Sequence, residues 1–279
     1  MEETPWYLNR NKVKTVSFRD KVSPQSTAYW FADFEYMTQA NLDKLDTSNT
    51  TNMEGMFYYC RGLKTLDLNK LNTSNVTNMS KLFKGCLNIT NLDVSNFDTS
   101  NVENMSEMFC MFIYEDDGTW SFAAVTSIKG LDKLNTSKVT NMYRMFMGCS
   151  NLSNIDVSHF DMSCVENISG MFRACYAIRS LSIEKWNVSN CKDMSYVFDS
   201  CVGLATINID NWDVSSCENM QNMFFNTPAT SYNLSKWDIS NVKNMRQMFM
   251  AAVNCKSITF NANAKLENIE DMTSTFENC

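Results

Sequence analysis

The chain has 279 residues, with 24 Lys and Arg against 31 Asp and Glu, a net charge of −7, and a single histidine, His159. Without a basic excess it lacks the counterion-release contribution behind nucleic-acid binding, and one histidine excludes a multi-histidine metal site and most histidine-based catalysis within one chain. Eleven Cys are too sparse for a disulfide scaffold and odd in number, Gly and Pro are too scarce for a linker, and no window approaches the ~18 consecutive apolar residues of a membrane span.

In chain order, the first feature is Val13-Lys-Thr-Val-Ser-Phe18, an apolar alternation set among Lys12, Lys14, Arg19, Asp20 and Lys21. A charged, degenerate first coil reads as an N-terminal cap over residues 1–26. From residue 27 to 279 one phenylalanine column repeats: Phe31, Phe57, Phe83, Phe109, Phe146, Phe172, Phe198, Phe224, Phe249 and Phe276. The spacing is 26 residues, give or take one, except for a 37-residue interval after Phe109. A fixed period of this length predicts a solenoid in which each repeat contacts its neighbours, so the chain is one elongated domain.

Within a repeat, Leu63, Leu66, Leu68 and Leu71 follow L-x-x-L-x-L-x-x-L, whose central alternation predicts a short strand. Val76, Met79, Leu82, Phe83 and Cys86 then recur at steps of three and one, which predicts one face of a short helix. Between them, an Asp/Asn column (Asp46, Asn72, Asp98 and onward) and a Ser column two residues later supply acceptors for the N–H groups of a helix start. A further column, Asn52 to Asn244, is positioned for a ladder between coils. The expected fold class is therefore an α/β solenoid of about nine to ten 26-residue coils, each a strand plus a helix. Met pairs such as Met53 and Met56 fall on the helix face, where flexible thioethers fill the core.

Six Cys (Cys60, Cys86, Cys149, Cys175, Cys201 and Cys279) form a column three residues after the Phe and are expected as free, packed thiols, with inter-coil disulfides the alternative. Cys164 lies off the apolar face and is expected to be accessible. No C-x-x-C pair occurs, so zinc has little support.

The long interval holds Cys110-Met-Phe-Ile-Tyr-Glu-Asp-Asp-Gly-Thr-Trp-Ser-Phe122. Asp117-Gly118 between alternating runs predicts a β-hairpin insertion over residues 110–127. Its Phe112, Tyr114, Trp120 and Phe122 are one candidate partner-binding set, since aromatics concentrate at interaction hot spots; packing back over the solenoid is the alternative. The second candidate is the outward strand face, carrying Asp67, Asp93, Asp156, Ser182 and Asn208. Lys70, Lys133, Lys185, Lys236 and His159 run beside it as a solvated edge. The chain stops at Phe276-Glu-Asn-Cys279, the opening residues of another coil, which predicts a longer array, with a partner covering that end as the alternative.

The segment Leu92-Asp-Val-Ser-Asn-Phe-Asp-Thr-Ser-Asn-Val-Glu-Asn-Met-Ser-Glu-Met-Phe109, echoed in nearly every coil, resembles the bacterial surface protein 26-residue repeat, the Met-rich relative of BspA-like leucine-rich repeats. The resemblance covers residues 27 to 279. It implies a right-handed, leucine-rich-repeat-like superhelix on bacterial cell surfaces, adhesion to a protein ligand on a host or microbial surface, and no shared catalytic residues or cofactor. It implies neither nucleic-acid binding nor membrane insertion by this segment. No export signal or anchor accompanies it here, which keeps a cytoplasmic interaction scaffold as the alternative. An enzyme is the weakest expectation, because the polar columns repeat and catalytic sets do not.

Overall fold

The computed structural model of the protein describes residues 6–115 and 117–279. Its coils stack so that each column found in the sequence becomes a physical row. The Phe column forms the spine of the core: successive rings from Phe57 to Phe276 are stacked at centroid distances of 5.3–6.2 Å and within 18° of parallel. All but the last of these rings are fully buried, with the Met, Leu, Val and Ile columns around them. A second row joins Phe160, Trp186 and Trp212, and the two indoles each donate Nε1–H to a carbonyl of the preceding coil, Trp186 to Val157 and Trp212 to Ile183.

Regular strand is sparse. Parallel pairs join β1 (Thr15–Ser17) to β2 (Gln39–Asn41), β3 (Asn91–Asp93) to β6 (Ser127–Lys129), and β7 (Ser231–Leu234) to β8 (Ser257–Phe260). Between β3 and β6, β4 (Phe112–Tyr114) and β5 (Trp120–Phe122) form an antiparallel hairpin. The unbroken β-type pairing lies elsewhere, in parallel bridges running coil to coil from Ser26 through Asn52, Asn78 and the rest of the Asn column to Asp271. That ladder is made by backbone, while the side-chain carbonyl of each Asn accepts the N–H two residues on, as Asn78 does from Ser80.

The expected helices do not form. Among the described residues there is no α-helix, only two three-residue 3₁₀ segments, Tyr7–Asn9 and Leu131–Lys133. The α/β assignment and the strand-plus-helix coil are thereby corrected to coils of extended segments and stacked turns. The reason lies in the residues two before and two after each Phe, which adopt left-handed backbone in nearly every coil: Gly55 and Tyr59, Lys81 and Gly85, Asn222 and Asn226. Two such residues per turn segment cannot continue a right-handed helix. Alternate N–H groups leave the coil instead. Met53, Gly55, Phe57 and Tyr59 donate to Asn78, Ser80, Leu82 and Lys84 of the next coil at 2.7–3.0 Å, while Met56, Tyr58 and Cys60 bond back three residues. The step of three and one is therefore the period of overlapping turns, whose apolar side chains face inward as a helix's would. Each non-glycine left-handed residue costs on the order of 1 kcal/mol, offset by inter-coil bonds that a helix would have kept within the coil. Gly55 has a second constraint, because a Cβ there would strike the Tyr29 ring of the preceding coil.

Threonines complete the adhesion between coils. Buried Thr47 donates its hydroxyl to the Asn72 carbonyl and accepts the Asn72 N–H, at 2.9 and 2.8 Å. Thr73 and Thr99 repeat the pair with Asp98 and Asn135. Beside them, the Asp/Asn column accepts the N–H of the Ser two residues later, as Asp98 does from Ser100, closing a turn in place of a helix start.

All eleven Cys are free. The column thiols of Cys60, Cys86, Cys149, Cys175 and Cys201 are buried and donate to the carbonyl of the preceding coil's Phe at 3.0–3.2 Å. Cys164 is exposed.

Candidate functional site

The hairpin leaves the turn ladder at Met111, whose N–H still bonds Met147 of the next coil, and returns at Ala123, whose N–H bonds Met111. The alternation of its strands sorts the side chains. Directly opposed residues share a face, so Phe112 with Phe122 and Tyr114 with Trp120 lie on one side, and Ile113 with Ser121 on the other. Within the connection between the strands, Gly118 N–H bonds the Glu115 carbonyl with Gly118 left-handed at φ 83°, and the Asp117 carboxylate accepts the Thr119 N–H. This is the Asp-Gly chemistry that the short hairpin requires.

The two faces differ in what they meet. Ile113 is buried, with its Cδ1 close to Gly85, and Glu115 forms a bidentate pair with Arg61 at 2.9 Å on both oxygens. Hydrogen bonds from Ser121 and Arg61 hold the Glu115 carboxyl below its ordinary range. The hairpin is thus tied to the preceding coils on that side. The aromatic side faces the following coils: Phe112 lies against Gly148, and Phe122 packs on Tyr176 at 5.3 Å. Between them opens a cleft of about 200 Å³, lined by Phe112, Trp120, Phe122, Arg173, Tyr176 and Ser200 among others. Its cation is matched: Arg173 Nε lies 2.8 Å from Asp199, whose carboxyl burial pushes up against the pull of that arginine.

The four candidate aromatics are therefore brought together but are not equivalent. Phe112 and Phe122, at the base, are half-buried and belong to the packing. Tyr114 and Trp120, at the outer end, are 61% and 55% exposed and pack on each other at 4.8 Å. The base of the hairpin thus packs against the solenoid while its outer end faces solvent.

The strand-face residues are spread over successive coils along one column. Asp67 and Asp156 are exposed, but each carboxylate accepts the N–H two residues on, from Asn69 and Ser158. Asp93 is bound likewise by Ser95, and Lys129 reaches it at 2.8 Å, interrupting the acidic run. Ser182 and Asn208 are exposed. His159 is exposed with its ring edge-on to Phe160. Among the described residues no group of three or more His, Cys, Asp or Glu is placed to hold a metal ion, and no helix is long and apolar enough to cross a membrane.

The site features that the sequence did not yield are the matched pairs framing the hairpin, Arg61–Glu115 and Arg173–Asp199. Arg61 and Glu115 are 54 residues apart, and no spacing rule connects them.

No curated protein matches the chain. Among solved structures, a leucine-rich repeat protein from Eubacterium ventriosum is 15% identical, with a TM-score of 0.36, over 94% of this chain and 76% of that one. A leucine-rich repeat protein of Leptospira interrogans is 11% identical, with a TM-score of 0.18, over 91% of this chain and 79% of that one. The sequence itself matches a family described as "Mycoplasma protein of unknown function, DUF285" in three overlapping stretches, residues 25–131, 117–206 and 177–279. Together these span the whole of the repeat region, and the chain belongs to the DUF285 family of repeat proteins.

Proposed function

We propose that the protein is a non-catalytic, BspA-like binding module of a bacterial cell surface that adheres through protein–protein recognition at its hairpin. The observation that carries this is the pair of exposed rings, Tyr114 and Trp120, held at the end of a braced protrusion. Exposed aromatics on a rigid support lose little entropy on binding, and Tyr and Trp are enriched among residues that dominate interface energies. The regular coils supply stiffness, and many of their repeated polar residues are occupied in turns and ladders. The ligand in this reading is a protein on a host or microbial surface.

The test is binding of the intact protein, beside a version with residues 112–122 replaced by a short Gly-Ser turn, to purified extracellular-matrix proteins. Saturable binding that disappears with the hairpin supports the reading. Binding kept by both moves the site to the strand face around Asp67, Asp93, Asp156, Ser182 and Asn208. A second reading, an intracellular interaction scaffold, is favoured by the eleven free thiols, which suit a reducing compartment. Surface labelling of the native cells with a membrane-impermeant reagent separates the two.

A further inference from the structure

The turn face beside the hairpin sets cations over five of its tyrosines, Tyr176 not among them. Lys81 Nζ stands 6.0 Å from the Tyr29 ring, Lys84 5.9 Å from Tyr58, and the guanidinium carbons of Arg61, Arg144 and Arg173 stand 5.7, 4.7 and 4.9 Å from Tyr59, Tyr143 and Tyr196. Five tyrosines in this face are thus each covered by a cation of the same chain, at distances where the ring quadrupole attracts it. Tyr114 and Trp120 are more exposed than any of these five, and among the described residues neither has a cation over it.

The charges around the tip are unbalanced in one direction. Arg61 neutralises Glu115, whereas the Asp117 carboxylate, in the loop between the two rings' strands, accepts the Thr119 N–H and hydroxyl and, among the described residues, pairs with no cation. Those two bonds hold the Asp117 carboxyl below its ordinary range, so it is ionised throughout the neutral region. The molecule as a whole carries −7, which steers a basic partner toward it. An acidic or phosphorylated partner would meet repulsion at this tip, and a wholly apolar one would leave Asp117 without compensation.

We infer that the hairpin tip is a receptor for an arginine- or lysine-bearing segment of a protein partner, the cation seated on Tyr114 and Trp120 beside Asp117. This rests on the hairpin being the binding site and names the chemistry that it selects. The partner's cation completes at the tip the arrangement that the five tyrosines of the neighbouring face complete internally.

The test is fluorescence anisotropy with three labelled twelve-residue peptides, repeats of Gly-Arg-Ser, Gly-Gln-Ser and Gly-Glu-Ser, against the whole protein at low salt. The expected result is Arg-peptide binding at least tenfold tighter than Gln-peptide binding, with none for the Glu peptide. Trp120→Ala is expected to weaken the Arg peptide by about three- to thirtyfold and Asp117→Asn by several-fold. Leu266→Ala, an exposed residue on a distant coil, is expected to leave it unchanged. Both tip residues are exposed, so folding is checked simply by an unchanged circular dichroism melt. Equal affinity for the Arg and Gln peptides overturns the inference. So does Arg-peptide binding that survives Trp120→Ala, which marks attraction to the net charge alone. If a matrix protein is bound in a hairpin-dependent manner yet Trp120→Ala and Asp117→Asn leave that binding intact, this inference fails while the hairpin reading stands.

Discussion

Raising the pH should unfold this protein through its buried thiols. Eight Cys are buried: Cys60, Cys86, Cys110, Cys149, Cys175, Cys191, Cys201 and Cys217. Burial raises every one of these thiols, Cys86, Cys110 and Cys217 to about 12 and Cys60, Cys149, Cys175 and Cys201 far above the usual value. An acid whose folded value is raised contributes stability that is fully present below its unfolded value and is lost as the pH rises past it. The unfolded thiols ionise near 8.5, and beyond that each costs about 1.4 kcal/mol per pH unit. Summed over eight, the loss is about 3 kcal/mol at pH 8.5 and about 11 kcal/mol at pH 9.5, against a total of about 5–15 kcal/mol for an ordinary domain. The coils carrying Cys149 to Cys217 hold five of the eight and should open first, since a solenoid unfolds by neighbouring repeats. Urea midpoints by circular dichroism, taken between pH 7 and 9.5 with a non-thiol reductant, should fall steeply. A variant with Cys86, Cys149, Cys175 and Cys201 all replaced by Ala should start lower and fall about half as fast. A flat midpoint, or the same slope in the variant, would refute the argument that buried, protonated thiols set the alkaline limit.

Acid should act in the opposite sense on different groups. Hydrogen bonds from Ser100, Ser163 and Ser240 lower Asp98, Asp161 and Asp238, so their contribution is present above the unfolded carboxylate range and lost as pH falls through the folded one; the melting temperature should drop below about pH 4, and an unchanged melt at pH 3 would contradict this. Thr73→Val removes both bonds to Asp98 and leaves its carbonyl and N–H unpaired, a cost of about 1–3 kcal/mol in urea unfolding, and Thr73→Ser should recover most of it. Glu166, Lys192, Glu218 and Lys243 form an alternating charge row, with Lys192 2.7 Å from Glu166 and Lys243 2.6 Å from Glu218. Lys192→Glu places three carboxylates in succession, and the melting temperature should fall at low salt and recover in 0.5 M salt, ~4 Å being the Debye length there; equal melts at both ionic strengths would assign the row no role.

The period, the Phe spine, the inward Met and the packed thiols are legible in the sequence because each is a burial pattern, and burial depends on which side chains point inward. The helix is not, because overlapping turns and a helix bury the same columns at the same spacing. What separates them is backbone handedness, and its signal was present: Gly55, Gly85, Gly148 and Gly170 all stand two residues from a Phe, in the columns that turn left-handed, with Asn222 and Asn226 in the same places. Tyr29, Lys81, Glu107 and Arg144 occupy those columns too and hide the rule, since their strain is offset by inter-coil bonds that no local pattern displays. The Thr47, Thr73 and Thr99 column lies between the Asp/Asn and Ser columns that drew the turn reading, and its value appears only when the next coil's backbone is in place.

The same stacking decides where function can reside. A residue in a regular column has an equivalent above and below, and several of these residues have their polar atoms engaged: Asp67 and Asp156 by their own turns, Asp93 by Ser95 and Lys129, and Asn101 by Ser74 and Lys138. Changing such a residue first disturbs the stack, so a repeat array specialises most cheaply where the period is broken. The interval after Phe109 is that place. Its base follows the rules of the core, with Met111 still on the ladder and Ile113 buried, and its tip is released from them, with Tyr114 and Trp120 in solvent and Asp117 unmatched by any described cation. Eleven extra residues between two coils thus suffice to place a distinctive chemistry on an otherwise repetitive surface, without altering the register of the coils on either side.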